Sequence, residues 1–203
     1  MAKKTAISEP SNDGAFSVEL SMPYVVQATL IGTAPFLFHR WSVDGVEAKA
    51  KAAKGSAAKK TDDLESYVYR DRAGNLALPS EYLRMSIIGA AKFRQDPRSP
   101  RKSAMDLFKA GIVGLEEYCS FGKTAWDYVD RRRVMIQRNG VTRHRPALEA
   151  GWNVTVLLQV LVPEYIGPEI LNEVLQNAGR LIGVGDFRPT FGRFQVVHFE
   201  VCE

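Results

Sequence analysis

Trp152-Asn153-Val154-Thr155-Val156-Leu157-Leu158-Gln159-Val160-Leu161-Val162 is the stretch on which the fold turns. Trp152, Val154, Val156, Leu158, Val160 and Val162 share one face, and Asn153, Thr155 and Gln159 share the other. That period of two marks a strand with one buried side. Gly167-Pro168-Glu169 then opens a helix, because Pro168 suits the first helical position, where a missing N–H leaves no bond unmade. Its stripe of Ile170, Leu171, Val174, Leu175, Ala178, Leu181 and Ile182 has helical spacing. A last strand is expected from Phe194 to Val201, so this half of the chain reads strand, helix, strand.

Working outward, Tyr24 to Ile31 alternates with both faces largely apolar, which predicts a central strand. It breaks at Gly32 and Pro35 and resumes over Phe36–Trp41. Tyr67–Leu78 reads as a hairpin about Asp71–Asn75. Ser80 is placed to cap a helix from Glu81 to about Phe93, in which Gly89 lets another element approach. Gly111–Phe121 is expected as a strand, and Arg138-Asn139-Gly140 as the turn of a second hairpin, since Asn-Gly tolerates positive φ. The order β-α-β-β-α-β defines an α+β fold with an RRM-like (ferredoxin-like) core and two long insertions, at about 42–66 and 94–110. Residues 1–21, small and polar, form a flexible N-terminal arm, and 22–203 a single domain.

Composition narrows the function classes. No run of about 18 apolar residues could span a bilayer, and no apolar segment of signal-peptide type follows Met1; a cytoplasmic setting, inside a bacterial cell, is expected. Cys119 and Cys202 fit no metal spacing and are read as reduced thiols. His39, His144 and His198 are likewise too scattered for a metal, and no cofactor is expected. Gly122-Lys123-Thr124 lacks the upstream glycine of a phosphate loop, Glu117 occupying that place.

The net charge is only +4, but it is unevenly spread. Between Arg131 and Arg145 lie Arg131, Arg132, Arg133, Arg138, Arg143 and Arg145 with no acid, and Lys92–Lys109 holds six bases against Asp96 and Asp106. Polyanions respond to such local fields more than to a total charge. Gly179 to Phe194 carries four glycines, three arginines and two aromatics before the last strand. Gly183, Gly185 and Gly192 can bring backbone close to a ligand, arginines suit phosphates and aromatics stack on bases. His39, near Asp44, is the candidate base if the chain cuts RNA; a hydrogen-bonded or RNA-contacting histidine is the alternative.

Three segments resemble the RAMP superfamily of CRISPR-associated proteins, above all the backbone subunit that polymerises along guide RNA. They are Leu30-Ile31-Gly32-Thr33-Ala34-Pro35-Phe36, Leu78-Pro79-Ser80-Glu81-Tyr82-Leu83-Arg84 to Ala91, and Leu181-Ile182-Gly183-Val184-Gly185 through Phe191-Gly192-Arg193-Phe194. The chain is also similar to short phage and prophage proteins with the same opening and ending. The resemblance implies an RRM-like palm, copies stacked into a filament, and the 42–66 insertion as a finger-like element. The expected activity is therefore non-enzymatic coating of single-stranded DNA or RNA by a phage- or mobile-element-encoded oligomer. Backbone contacts are expected from Lys92, Arg131, Arg132, Arg133, Arg138, Arg180, Arg188 and Arg193, and stacking from Trp41, Trp126 and Phe187. The alternatives are a RAMP-type ribonuclease using His39 or Asp44, a CRISPR effector backbone subunit, and a protein-only assembly module such as a virion component or a CRISPR-mimicking inhibitor.

Overall fold

The computed structural model describes residues 22–51, 53, 63–136 and 139–202; the N-terminal arm, most of 52–62 and Arg138 lie outside the described residues. Its main sheet has four antiparallel strands in the order β11-β1-β10-β6, formed by Phe194–Cys202, Tyr24–Gly32, Asn153–Val160 and Ile112–Gly114. With helices α2 (Ser80–Ala91) and α4 (Pro168–Asn177) inserted after the first and third of these in chain order, the topology is the split βαβ arrangement. The fold is α+β, and β1 is central.

One face of this sheet is the core. Val26, Ala28 and Leu30 of β1 and Val154, Val156, Leu158 and Val160 of β10 are buried against Leu83 and Ile87 of α2 and Leu171, Val174 and Leu175 of α4. The other face carries Gln27, Thr29, Asn153, Thr155 and Gln159, with the Thr29 and Thr155 hydroxyls 3.1 Å apart. Among the described residues it holds no Phe, Tyr or Trp ring, and its one aromatic side chain is His198 on the edge strand. The central strands therefore lack the stacking aromatics by which RRM sheets bind RNA.

Trp152 locks the two central strands. Its Nε1–H donates to the Ala34 carbonyl at 2.8 Å, and its indole lies where a β-carbon on Gly32 would have to sit. Phe36, Phe121 and Phe194 surround it at ring-centroid distances of 5.7, 5.7 and 6.5 Å. This cluster turns the chain out of β1 into β2 (Phe36–Leu37), which pairs with β9 (Asn139–Leu148), itself paired along its length with β8 (Tyr128–Ile136).

Several elements differ from the sequence reading. The run Phe36–Trp41 yields a two-residue strand: Phe38 still donates its N–H to the Pro146 carbonyl of β9 at 3.0 Å, but Pro146 has no N–H to return, and the ladder ends there. Tyr67–Leu78 forms a single bridge, Arg70 to Leu76; β3 (Ala77–Pro79) pairs instead with β7 (Tyr118–Ser120). The Asp71 carboxylate closes the turn by accepting the Ala73 and Asn75 N–H groups. Ser80 is the first residue of α2, buried and making no capping bond, with Pro79 in the cap position.

Gly111–Phe121 is not one strand but two short ones, β6 and β7. Within the second insertion, β4 (Gln95–Asp96) and β5 (Ser99–Ser103) form a hairpin, and α3 (Met105–Gly111) buries Leu107 and Phe108. Asn139 and Gly140 stand inside β9, opposite Ile136 and Met135, and so are strand and not turn. At the start of the first insertion, α1 spans Val43–Lys51. Cys119 and Cys202 are free thiols, and burial pushes the Cys119 thiol up to about 12. No helix of the described residues is long and apolar enough to cross a membrane.

The Gly32 notch and Gly89 make opposite predictions. A β-carbon at Gly32 overlaps the Trp152 ring, whereas one at Gly89 meets only Ile182 at 3.6 Å. Gly32→Ala should lower the unfolding free energy by about 2–3 kcal/mol through overpacking, whereas Gly89→Ala should raise it by up to ~1 kcal/mol through helix propensity. Urea denaturation of both variants measures this.

Candidate nucleic-acid interface

The β8–β9 hairpin divides its arginines by strand alternation. Directly opposed residues in an antiparallel pair share a face, so Asp130, Arg132, Arg143 and Arg145 lie on one side, and Arg131, Arg133, Thr142 and His144 on the other. On the first side Asp130 grips Arg132 with two bonds of 2.6 and 2.7 Å. Arg145 is only 6% exposed, and its Nε is 2.6 Å from Asp186 Oδ2. The N–H does not point along that line, so the contact is an ion pair and not a hydrogen bond. On the second side, Arg131 and Arg133 are exposed and, among the described residues, have no acidic partner.

The glycine-rich segment closes over the first side. A five-residue π-helical turn, Ala178–Ile182, ends α4, and the chain then loops from Gly183 to Phe194. The glycines serve the protein's own packing. A β-carbon at Gly192 (φ +70°) would overlap the Val184 carbonyl, and one at Gly185 (φ +78°) would press on the Leu37 carbonyl and the Phe36 ring. Gly183 is equally hemmed in, by Phe191 and Gly192 backbone. With no β-carbons at these positions, the loop lies flat on the β2–β9 junction. There the Asp186 N–H donates to the Leu37 carbonyl at 3.0 Å.

Phe187 has φ +59°, a conformation costly for an aromatic residue. Several contacts hold it, among them a bond from the Phe191 N–H to its carbonyl at 3.2 Å. Asp186 Oδ1 accepts its N–H at 2.9 Å, the Arg132 guanidinium stacks 4.8 Å from its ring centre and 4.5 Å from that of Phe191, and the Phe191 ring meets it edge-on at 6.2 Å. The ring stays 40% exposed.

Two hollows flank this loop. One of about 300 Å³ is lined by His39, Tyr82, Met85, Gly185, Asp186 and Arg188. His39 Nδ1 lies 3.4 Å from Asp186 Oδ2. Burial, aided by the Tyr69 hydroxyl 3.0 Å away, pushes the Tyr82 hydroxyl up, so that it remains a proton donor. The Arg40 guanidinium lies over the Tyr69 ring. The second, about 550 Å³, runs between Met85 and Gly89 of α2 and Leu181, Phe187, Arg188 and Pro189. Its lining mixes these apolar side chains with the charged Asp186 and Arg188, and Met85 is 50% exposed.

The remaining predicted residues are dispersed. Lys92 is exposed one turn beyond Gly89, above the Phe93 ring. Arg180 and Arg193 line a separate hollow of about 500 Å³ with Glu173, Gln176 and Phe194. Trp41 is exposed before α1, whereas Trp126 is half-buried against the core. Asp44 lies in α1, its side chain outside the described residues, as is Arg138. Sequence reasoning missed Arg145 as a buried anchor, Asp186 as its partner, and Met85 and Tyr82. The helical offset of Tyr82, Met85 and Gly89 along α2 was the available signal. Among the described residues, no group of three His, Cys, Asp or Glu could hold a metal ion.

The fold is a ferredoxin-type α+β domain. Among solved structures, it is similar to a chain of the cryo-EM structure of the type III-B Cmr-beta complex bound to cognate target RNA, with a TM-score of 0.53 and 9% identity. The match covers 89% of this chain and 61% of that one, so this chain spans under two thirds of its neighbour's length. No protein-family model matches the chain, and no curated protein does. At that identity the likeness concerns fold.

Removing one member of a buried ion pair strands the other. Asp186→Ala should therefore cost about 2–4 kcal/mol, at or below the range for fully buried pairs because Asp186 is partly exposed. Chemical denaturation measures the loss. Chymotryptic cleavage after Phe187 should quicken in the same variant.

Proposed function

We propose that this chain binds single-stranded nucleic acid along the Arg131/Arg133 side of the β8–β9 hairpin and the rim of the glycine-rich loop. The observation that carries the reading is the division of the arginines. Arg132 and Arg145, which face the loop, are consumed by Asp130, Asp186 and the Phe187 and Phe191 rings, while Arg131 and Arg133 are left for an external anion. Phosphates would follow Arg131, Arg133, Arg188 and Arg40. A splayed base would stack on the exposed Phe187 ring or enter the hollow beside Met85, where Arg188 and Asp186 also line the wall, and stacking tolerates any base. Lys92 would extend the track at the far end of α2, and Arg180 and Arg193 would serve a neighbouring stretch of strand.

Copies would coat the strand as a helical oligomer, in a phage or mobile-element setting inside a bacterial cell, as the sequence resemblance implies. The neighbouring fold comes from a complex with target RNA, which makes RNA the first substrate to test. A ribonuclease reading has one observation in its favour, His39 beside Asp186 in the smaller hollow. Asp186 is shared with Arg145, however, which makes it a poor partner for a general base.

The test is nuclease-treated protein titrated with labelled single-stranded RNA, single-stranded DNA and duplex DNA across a salt series. Tight single-strand binding that weakens steeply with salt is expected. Arg131→Ala combined with Arg133→Ala should flatten the slope of log K against log salt by about 1.4, at roughly 0.7 per phosphate contact on a single strand. Phe187→Ser should cost about 1–3 kcal/mol of binding at every ionic strength. Unchanged slopes would overturn the interface. Cleavage products that disappear with His39→Ala would favour the ribonuclease, and intact oligomers that bind nothing at low salt would favour a protein-only module.

A further inference from the structure

The four-stranded sheet ends on β11, whose outer edge is managed in one half and left open in the other. In the first half, Gln176 of α4 acts as a substitute strand: its Nε2 donates to the Val196 carbonyl at 3.3 Å and its Oε1 accepts the Val196 N–H at 3.5 Å. A bulge then displaces Val197, between the pairs Leu30–Val196 and Thr29–His198. Beyond it, among the described residues, His198–Cys202 has no strand on its outer side. Edges of this kind are templates for another chain unless lysine, proline or a covering element blunts them, and His198-Phe199-Glu200-Val201-Cys202 contains neither lysine nor proline.

This edge is two-sided. Phe199 and Val201 lie opposite Ala28 and Val26, on the helix-covered face, and Val201 is still 41% exposed. His198 and Glu200 lie opposite Thr29 and Gln27, on the open polar face, their side chains 3.2 Å apart. A strand that completed the sheet would need apolar residues at one parity and small or polar ones at the other. The chain contains such a segment immediately before β1: Phe16-Ser17-Val18-Glu19-Leu20-Ser21. Phe16, Val18 and Leu20 alternate with Ser17, Glu19 and Ser21, the period-two pattern of a half-buried strand.

We propose that residues 16–20 of one copy add as a fifth strand to the His198–Cys202 edge of the next. Phe16, Val18 and Leu20 extend the apolar face over Phe199 and Val201, and Ser17 and Glu19 continue the polar one beside His198. The occupant is a second copy because so short a link, Ser21, Met22 and Pro23, would force a segment on its own β11 to run parallel to it, whereas every pairing in this sheet is antiparallel. A neighbour's segment meets no such limit. The contact joins two different surfaces, so it is heterologous and repeats head to tail. Main-chain bonds supply the affinity and the alternation sets the register. The assembly does not depend on nucleic acid, and its failure would leave the proposed strand-binding surface untouched.

Light scattering on nuclease-treated full-length protein tests this. The wild type should grow in mass with concentration. Val18→Pro, which removes an amide donor from the added strand, and Val201→Lys, which puts a charge on the accepting edge, should each be monomeric. Mixing them should restore dimers and nothing larger, because Val201→Lys still donates and Val18→Pro still accepts. A wild type monomeric at every concentration would overturn the proposal, including the case in which the segment pairs within its own chain. Oligomers unaffected by Val18→Pro would overturn it as well. So would two monomeric variants whose mixture stays monomeric.

Discussion

The seating of Trp152 against Gly32 is the contact on which the rest of the molecule depends. With no side chain at Gly32, the indole can lie flat across the end of β1 and donate to the Ala34 carbonyl. That bond fixes where the chain leaves the main sheet and where Phe36 and Leu37 begin the second one. Leu37 in turn offers its carbonyl to Asp186 and its neighbour Phe36 the surface on which Gly185 rests. The glycine-rich loop is thus positioned from the core outward, through backbone contacts too close for any β-carbon.

Charge in this protein is organised by strand geometry more than by abundance. A run of three arginines in a strand cannot put all three on one surface, since neighbouring side chains point to opposite faces. Arg132 becomes structural, held by Asp130 and stacked on two rings, and its neighbours Arg131 and Arg133 face outward. The same sorting occurs in the second insertion, where Asp96 takes Arg98 and Arg98 holds the Asp96 carboxyl down to about 2. Basic residues that look equivalent in the sequence therefore divide into those that hold the fold and those that give the surface its field.

The core elements were legible because they follow simple periods. β10 and α4 are nearly pure period-two and helical patterns, and β1 alternates the buried Val26, Ala28 and Leu30 with an open face of Val25, Gln27, Thr29 and Ile31. The short strands were not. β3, β6 and β7 have three pairings each, too few for a period to show in the sequence. Asn139-Gly140 misled as a turn because β2 pins the far end of β9, with Phe36 opposite Leu148 and Leu37 opposite Ala147, and the register runs on from there to place both residues within the strand.

By itself the sequence determined the α+β order of elements, the concentration of arginines and the glycine-rich loop, since each rests on local periodicity or composition. It could not assign roles within them. Whether a glycine serves a ligand or the protein's own packing depends on which backbone lies opposite, and Gly192 meets Val184 only once the loop has closed. Whether an arginine is free depends on a partner far along the chain, as with Arg145 and Asp186. Tertiary structure decided those roles because a close approach or an ion pair is a property of two segments, and neither segment alone carries the information about the other.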